Sequence, residues 1–214
     1  MKKLILNFLI AAAFISAGFA AEKSPAKLTP EQAEAEYTHV IDARSQKIVD
    51  ALGLSDTNTA AKVHDIIMAQ YRALNSWHNA NDPRIKAAHR DKAIIAKINE
   101  PLRKMHDEYL ARLAQYLTPE QIETVKDKMT YGKVQFTFKG YTIEYPDLSE
   151  ANKREVLNYL KQAREEAMDA GSSEEKSAIF NQYKGKINNY LSRQGIQSVR
   201  AKAKKNSKSK QATP

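Results

Sequence analysis

Between Met129 and Pro146 the apolar residues change from helical spacing to strict alternation: Val134, Phe136 and Phe138, then Lys139 and Gly140, then Tyr141, Ile143 and Tyr145. Alternation of this kind reads as two strands joined by a two-residue turn, pairing Phe138 with Tyr141, Phe136 with Ile143 and Val134 with Tyr145. All six large apolar side chains then share one face, and Gln135, Thr137, Thr142 and Glu144 take the other. A lone two-stranded hairpin is marginal in water, so this one must dock on helices. The chain is accordingly predicted to be mainly α, an antiparallel helical bundle of five to seven helices with one β-hairpin inserted at about 134–145.

The helices are marked by their ends. Thr29, Pro30, Glu31 and Gln32 form a capping box with proline at the first helical position, and the helix they open should run to Leu52 and stop at Gly53. A second follows Asp56, with Val63, Ile66 or Ile67, Leu74 and Trp77 on one stripe, and should end near Asp82 and Pro83. A third begins near Arg84 and carries Ile95, Ile98, Leu102, Met105, Tyr109 and Leu113, with a kink or break expected around Asn99 because Pro101 costs about 3 kcal/mol in a helix interior. Thr118 to Gln121 repeat the capping box and open a short helix that ends before Gly132. Ser149 starts a helix to Ala170 with Gly171 as its stop, and Ser172 with Glu175 starts another that ends at Gly195.

Both termini have their own character. Lys2 and Lys3, an apolar run from Leu4 to Ala17, and small residues around Phe19 follow a secretory pattern, with cleavage after Ala20. The run is shorter than the roughly 18 to 20 residues a spanning helix needs, so stable membrane insertion is not expected and the mature protein should be periplasmic or extracellular. The formal charge of +9 is concentrated at the ends: two lysines sit in the leader, and six cations with no acid lie in the tail from Ile196 to Pro214. The body is nearly neutral, which argues against a nucleic-acid partner. A Lys, Ser and Ala tail cannot offset its ordering entropy and is expected to be disordered, free to touch anionic surfaces. The expected layout is a signal peptide over 1–20, one helical domain with the hairpin over 21–195, and a basic tail over 196–214. Cysteine is absent, which excludes disulfides, thiolate metal sites and a cysteine nucleophile.

Few residues stand out chemically. His39, His64, His78, His89 and His106 lack zinc-protease spacing, so no metal and no cofactor is implied. His64, Tyr71, Asn75 and His78 share a helix face, which reads as a packed, hydrogen-bonded seam more readily than as a pocket wall. The acids Glu165, Glu166 and Asp169 fit solvated helix faces, with Glu166 near Arg164 and Lys161, and no catalytic residue is assigned. Trp77, Tyr131, Tyr141 and Tyr145 could form a sugar platform, with amides from Asn188 and Asn189 for the hydroxyls, but Tyr141 and Tyr145 lie on the core face of the hairpin. Candidate ligand contacts are therefore Trp77, His78, Tyr131, Asn188 and Asn189. Gly185, inside a helix, is expected where another backbone, that of the hairpin, approaches.

Met129-Thr130-Tyr131-Gly132, the run from Tyr183 to Ser192, Gln70-Tyr71-Arg72, and Ala163-Arg164-Glu165 through Met168-Asp169 together resemble a family of exported bacterial domains of unknown function labelled sugar-binding. The likeness covers most of Tyr37 to Gln197 and implies a carbohydrate partner without supplying catalytic residues. Leu-Thr-Pro-Glu-Gln, present at Leu28–Gln32 and at Leu117–Gln121, is similar to the Leu-Thr-x-x-Gln signature of small periplasmic holdase chaperones. The expectation is an exported non-enzymatic protein, carbohydrate-binding or accessory to polysaccharide use. The alternative is a holdase, and the third reading a glycoside hydrolase. A polar aromatic pocket would favour sugar binding, an exposed concave apolar patch the chaperone, and an inward pair of carboxylates in a deep cleft the hydrolase. Nothing in the spacing sets an oligomeric state.

Overall fold

Seven helices follow one another in a computed structural model that describes residues 28–201 and 203. They are α1 (Pro30–Leu52), α2 (Thr57–Ala87), α3 (Lys92–Leu113), α4 (Pro119–Met129), α5 (Lys133–Glu144), α6 (Glu150–Met168) and α7 (Ser173–Arg193). The expected leader over 1–20, and the basic tail beyond 203, lie outside the described residues. At the start of that tail residues 199–201 are helical, and the Ala201 N–H donates to the Ser198 hydroxyl.

The caps behave as their residues require. Thr29 and Thr118 both close capping boxes with the glutamine three residues on, and Asp56, Ser149 and Ser172 accept backbone N–H groups at the starts of α2, α6 and α7. Gly53 ends α1 in the left-handed region. At the end of α7 the Gly195 N–H reaches Ser192 O and the Ile196 N–H reaches Leu191 O, a Schellman motif that needs glycine at its φ of 71°.

Helices α1 and α2 pack antiparallel: Arg72 meets Glu34, the Tyr37 hydroxyl donates to Tyr71 O, and His64 lies 3.2 Å from Asp42. With α3 and α4 they enclose one apolar core, including Val63, Ile67, Tyr109, Leu113 and Val125. Helices α5, α6 and α7 enclose a second, including Val134, Tyr141, Leu160, Phe180 and Ile187. Helix α6 belongs to both, because Met168 at its end packs in the first while Val156 to Ala167 pack in the second.

The hairpin is not formed: residues 133–144 are helix α5, and no strand occurs among the described residues. The apolar set that alternates along a strand also satisfies helical steps of three and four. At about 100° per residue, Val134, Phe138, Tyr141 and Tyr145 fall within one narrow arc, and Phe136 and Ile143 fall on the opposite side. The structure follows this division, with the first four packed in the second core while Phe136 is 80% and Ile143 67% exposed. A helix satisfies its backbone locally, whereas a hairpin with no sheet to join leaves its edges unpaired, and docking four apolar residues on α6 and α7 outweighs two left in water. Tyr131 and Gly132, at φ of 59° and 64°, break the chain between α4 and α5.

Two boundaries also differ. Helix α2 continues past Pro83 to Ala87, and α3 begins only at Lys92, after a turn with His89 and Arg90 at positive φ and with Asp91 as cap. Helix α3 is unbroken at Pro101. Pro83 and Pro101, and the residues four before them, Asn79 and Lys97, are all exposed, so the carbonyls that lose a partner face water. Gly185 meets no close backbone: a Cβ there would have nothing within 4 Å, and the same holds at Gly140.

Two substitutions test this arrangement by urea denaturation. Lys139→Pro should cost about 3 kcal/mol inside α5 through the lost hydrogen bond and the ring clash, and an unchanged midpoint would reject the helix. Gly185→Ala should stabilise by roughly 0.5 to 1 kcal/mol, since the added methyl meets open space; a destabilised variant would mean that something does press on that face.

Candidate functional site

Arg164 lies on the buried stripe of α6 and is only 2% exposed. A guanidinium cannot shed its charge, so burial there requires partners. They come chiefly from one face of α4: Nη1 donates to Asp127 Oδ1 and Nη2 to Glu123 Oε2, both at 2.7 Å, and Nη2 also reaches Glu165 Oε1 at 3.1 Å. Lys126, between those two acids in α4, holds the other Glu165 oxygen at 2.8 Å. The α6 motif around Arg164 is thus locked to α4 by a lattice in which each carboxylate faces a cation.

The lattice continues to the C-terminal end of α6. His106 of α3 stands 3.6 Å from Glu165 through Nε2 and 2.9 Å from Asp169 through Nδ1. The second approach lies off the N–H direction, a close ion pair rather than an aligned hydrogen bond. His78 of α2 donates from Nε2 to the Asp169 carbonyl at 2.7 Å, since a carbonyl can only accept, and its Nδ1 lies 2.9 Å from Asp82. Lys176 of α7 donates to Ala167 O and Met168 O. Cationic or N–H groups from three helices thereby meet the negative end of the α6 dipole. Gly171 is required beside them, because a Cβ there would sit 2.9 Å from His78 Cγ.

These environments oppose acid–base chemistry at neutral pH. The Asp169 and Glu165 carboxylates hold the His106 imidazolium up to about 9 against the smaller effect of burial. Burial alone would raise Glu165, but His106, Lys126 and Arg164 outweigh it and hold its carboxyl down to about 2. A general acid or base works best with a pKa near the operating pH, and both groups have been moved away from it. The remaining acid of the expected cluster, Glu166, pairs with neither Arg164 nor Lys161 but accepts the Tyr183 hydroxyl.

A separate cavity of about 270 Å³ opens where the α5–α6 connection meets the exit of α7, lined by Tyr145, Asp147, Gly195, Ile196 and Gln197. Each wall has a local cause. Tyr145 caps α5, its ring stacked 6.0 Å from Tyr141, whose hydroxyl is fixed on Lys184 O and Asn188 Oδ1. The Schellman turn at Gly195 directs Ile196 onto the second core and brings Gln197 to the rim. An aromatic ring, a carboxylate and an amide around a small opening suit a polyhydroxylated ligand better than an apolar one.

The candidates read from sequence are dispersed. Trp77, on the buried stripe of α2, is 8% exposed and meets the His78 ring edge-on, so neither offers an open face. Tyr131 is 52% exposed on the α4–α5 turn. Asn188 and Asn189 lie on the exposed side of α7, with Asn188 occupied by Tyr141. None of the five lines the cavity at Tyr145. The signal for the lattice was present in the sequence: Arg164 interrupts the apolar stripe Val156, Leu160, Ala163, Ala167, and α4 carries acids at a four-residue spacing. The cavity had no such signal, since Tyr145 and Gln197 are 52 positions apart in the numbering and only the helix ends bring them together.

Residues 38–212 match the family described as Protein of unknown function (DUF3826). The chain belongs to this family. No curated protein matches it. The DUF3826 match takes in every residue of the lattice and of the cavity.

In this DUF3826 protein Arg164→Met should cost about 3 kcal/mol in urea denaturation by leaving Glu123 and Asp127 without their shared cation, whereas a loss below about 1 kcal/mol would show that the lattice does not hold α4 to α6. The pH dependence has a definite sign. Because His106 is raised from 6.5 to about 9 in the folded state, its contribution is complete below about pH 6.5 and is lost as pH rises through about 9. Lys176 acts oppositely: burial pushes it down to about 8, a penalty relieved as pH rises from there towards 10.5. The stability difference between wild type and His106→Gln isolates the first effect and should shrink from pH 6 to 9.5; a constant difference would rule the imidazolium out.

Proposed function

We propose that this protein is an exported, non-enzymatic carbohydrate-binding protein, an accessory to polysaccharide use, and that the cavity at Tyr145 receives a sugar unit. The observation that carries the reading is the lining itself: the Tyr145 ring supplies a face for the apolar side of a pyranose, while Asp147 and Gln197 supply an acceptor and an amide for its hydroxyls. Gly195 leaves the floor without a side chain, and a volume of about 270 Å³ holds one ring rather than a chain. The leader pattern at Lys2 to Ala20 supports export, and the pairing of the lattice carboxylates with cations supports binding over hydrolysis.

The test is calorimetry of the chain from Ala21 to Pro214 against neutral and acidic oligosaccharides chosen from a glycan array. Saturable binding of a sugar should weaken about tenfold, ~1.4 kcal/mol, in Tyr145→Ala and in Gln197→Ala, and remain unchanged in Tyr131→Ala. Absence of binding across the array would overturn the function. Binding lost in Tyr131→Ala but kept in Tyr145→Ala would overturn the site.

A further inference from the structure

The outward face of α5 carries Phe136 and Ile143 almost fully in water, with Gly140 and Lys139 on either side of the line between them. Two residues before α5 begins, Tyr131 is also exposed. Large apolar residues exposed together on one helix are unusual on a monomer surface and mark a contact. What meets them is indicated at the other end of the helix. Glu144 pairs with Arg200 at 3.3 Å, so the C-terminal chain passes the end of α5, and beyond Arg200 the sequence adds Lys202, Lys204, Lys205, Lys208 and Lys210 with no acid. The exposed apolar strip of α5 and the point from which this cation-rich sequence runs on therefore lie at one helix.

We infer that the α5 face and the basic tail together dock this protein on an anionic lipid surface, Phe136 and Ile143 entering the acyl boundary and the tail lysines meeting headgroup phosphates. No helix among the described residues is long and apolar enough to cross a membrane, so attachment would be peripheral. Peripheral attachment generally takes two signals, and this arrangement provides an apolar one and an electrostatic one. A second copy of the chain fits less well. Two large side chains on a 12-residue helix fall short of the roughly 1,200 Å² that a stable interface buries, and pairing would bring two basic tails together. A soluble polyanion would engage the tail but offers no apolar phase for Phe136 and Ile143. The inference is independent of the sugar cavity.

The experiment is co-sedimentation of the chain from Ala21 to Pro214 with two vesicle types, pure phosphatidylcholine and phosphatidylcholine containing about one third phosphatidylglycerol. Binding should be confined to the phosphatidylglycerol vesicles. It should fall about tenfold in Phe136→Ser/Ile143→Ser, and at least as much when the five tail lysines are changed to glutamine. Phe136 and Ile143 are exposed and outside the cores, and an unchanged circular dichroism spectrum checks that both variants fold. Lack of binding to phosphatidylglycerol vesicles overturns the inference, as does binding that survives Phe136→Ser/Ile143→Ser undiminished. A concentration-dependent dimer abolished by the same pair would assign the face to a second copy and also overturn it.

Discussion

A single buried guanidinium sets the geometry of this molecule. Arg164 faces away from the second core and towards α4, and α4 belongs to the first. The two apolar cores share only the end of α6, so the angle between the halves is set by what crosses the α4–α6 boundary. Hydrophobic burial is non-directional and would permit several such angles. A fork of N–H donors on two carboxylates permits few.

That lattice illustrates a general asymmetry of buried ions. Its net contribution to stability is small, because desolvating so many charges offsets most of the attraction between them. Its value lies in specificity: any slip of α6 against α4 would strand an unpaired charge. The same economy appears at the end of α6, where Lys176, His78 and His106 serve carbonyls and carboxylates that would otherwise go unmet. Polar residues concentrated at the centre are thus occupied in holding helices, and the two recognition surfaces proposed above, the Tyr145 cavity and the outer face of α5, both lie at the periphery.

The misreading of α5 is instructive because nothing in the residues was ambiguous about which were apolar. Val134, Phe138, Tyr141 and Tyr145 satisfy a helix, and with Phe136 and Ile143 they satisfy a hairpin equally. β-branched and aromatic residues favour strands, but that preference is weak and largely reflects packing surroundings. Helices α6 and α7 offered a groove that takes one narrow stripe, and among the described residues no neighbouring strand was available to complete a sheet. The prolines teach the complementary lesson. Pro83 and Pro101 looked like boundaries, yet each lies on an exposed face where water can take the freed carbonyl.

The sequence by itself determined where most helices begin and end, because caps are local chemistry: a threonine, a proline and a glutamine at fixed spacing satisfy the same N–H groups in any fold. It also located the apolar stripe of α2, the buried Tyr109 and Leu113 of α3, and the concentration of charge in the tail. Tertiary structure alone decided that residues 133–144 are helical, that Arg164 would be buried and paired with α4, and that Tyr145 and Gln197 would share a cavity. Each of these depends on which surface stands opposite: an arginine in the apolar stripe of α6 and acids four apart in α4 are legible separately, but neither segment says that the two meet.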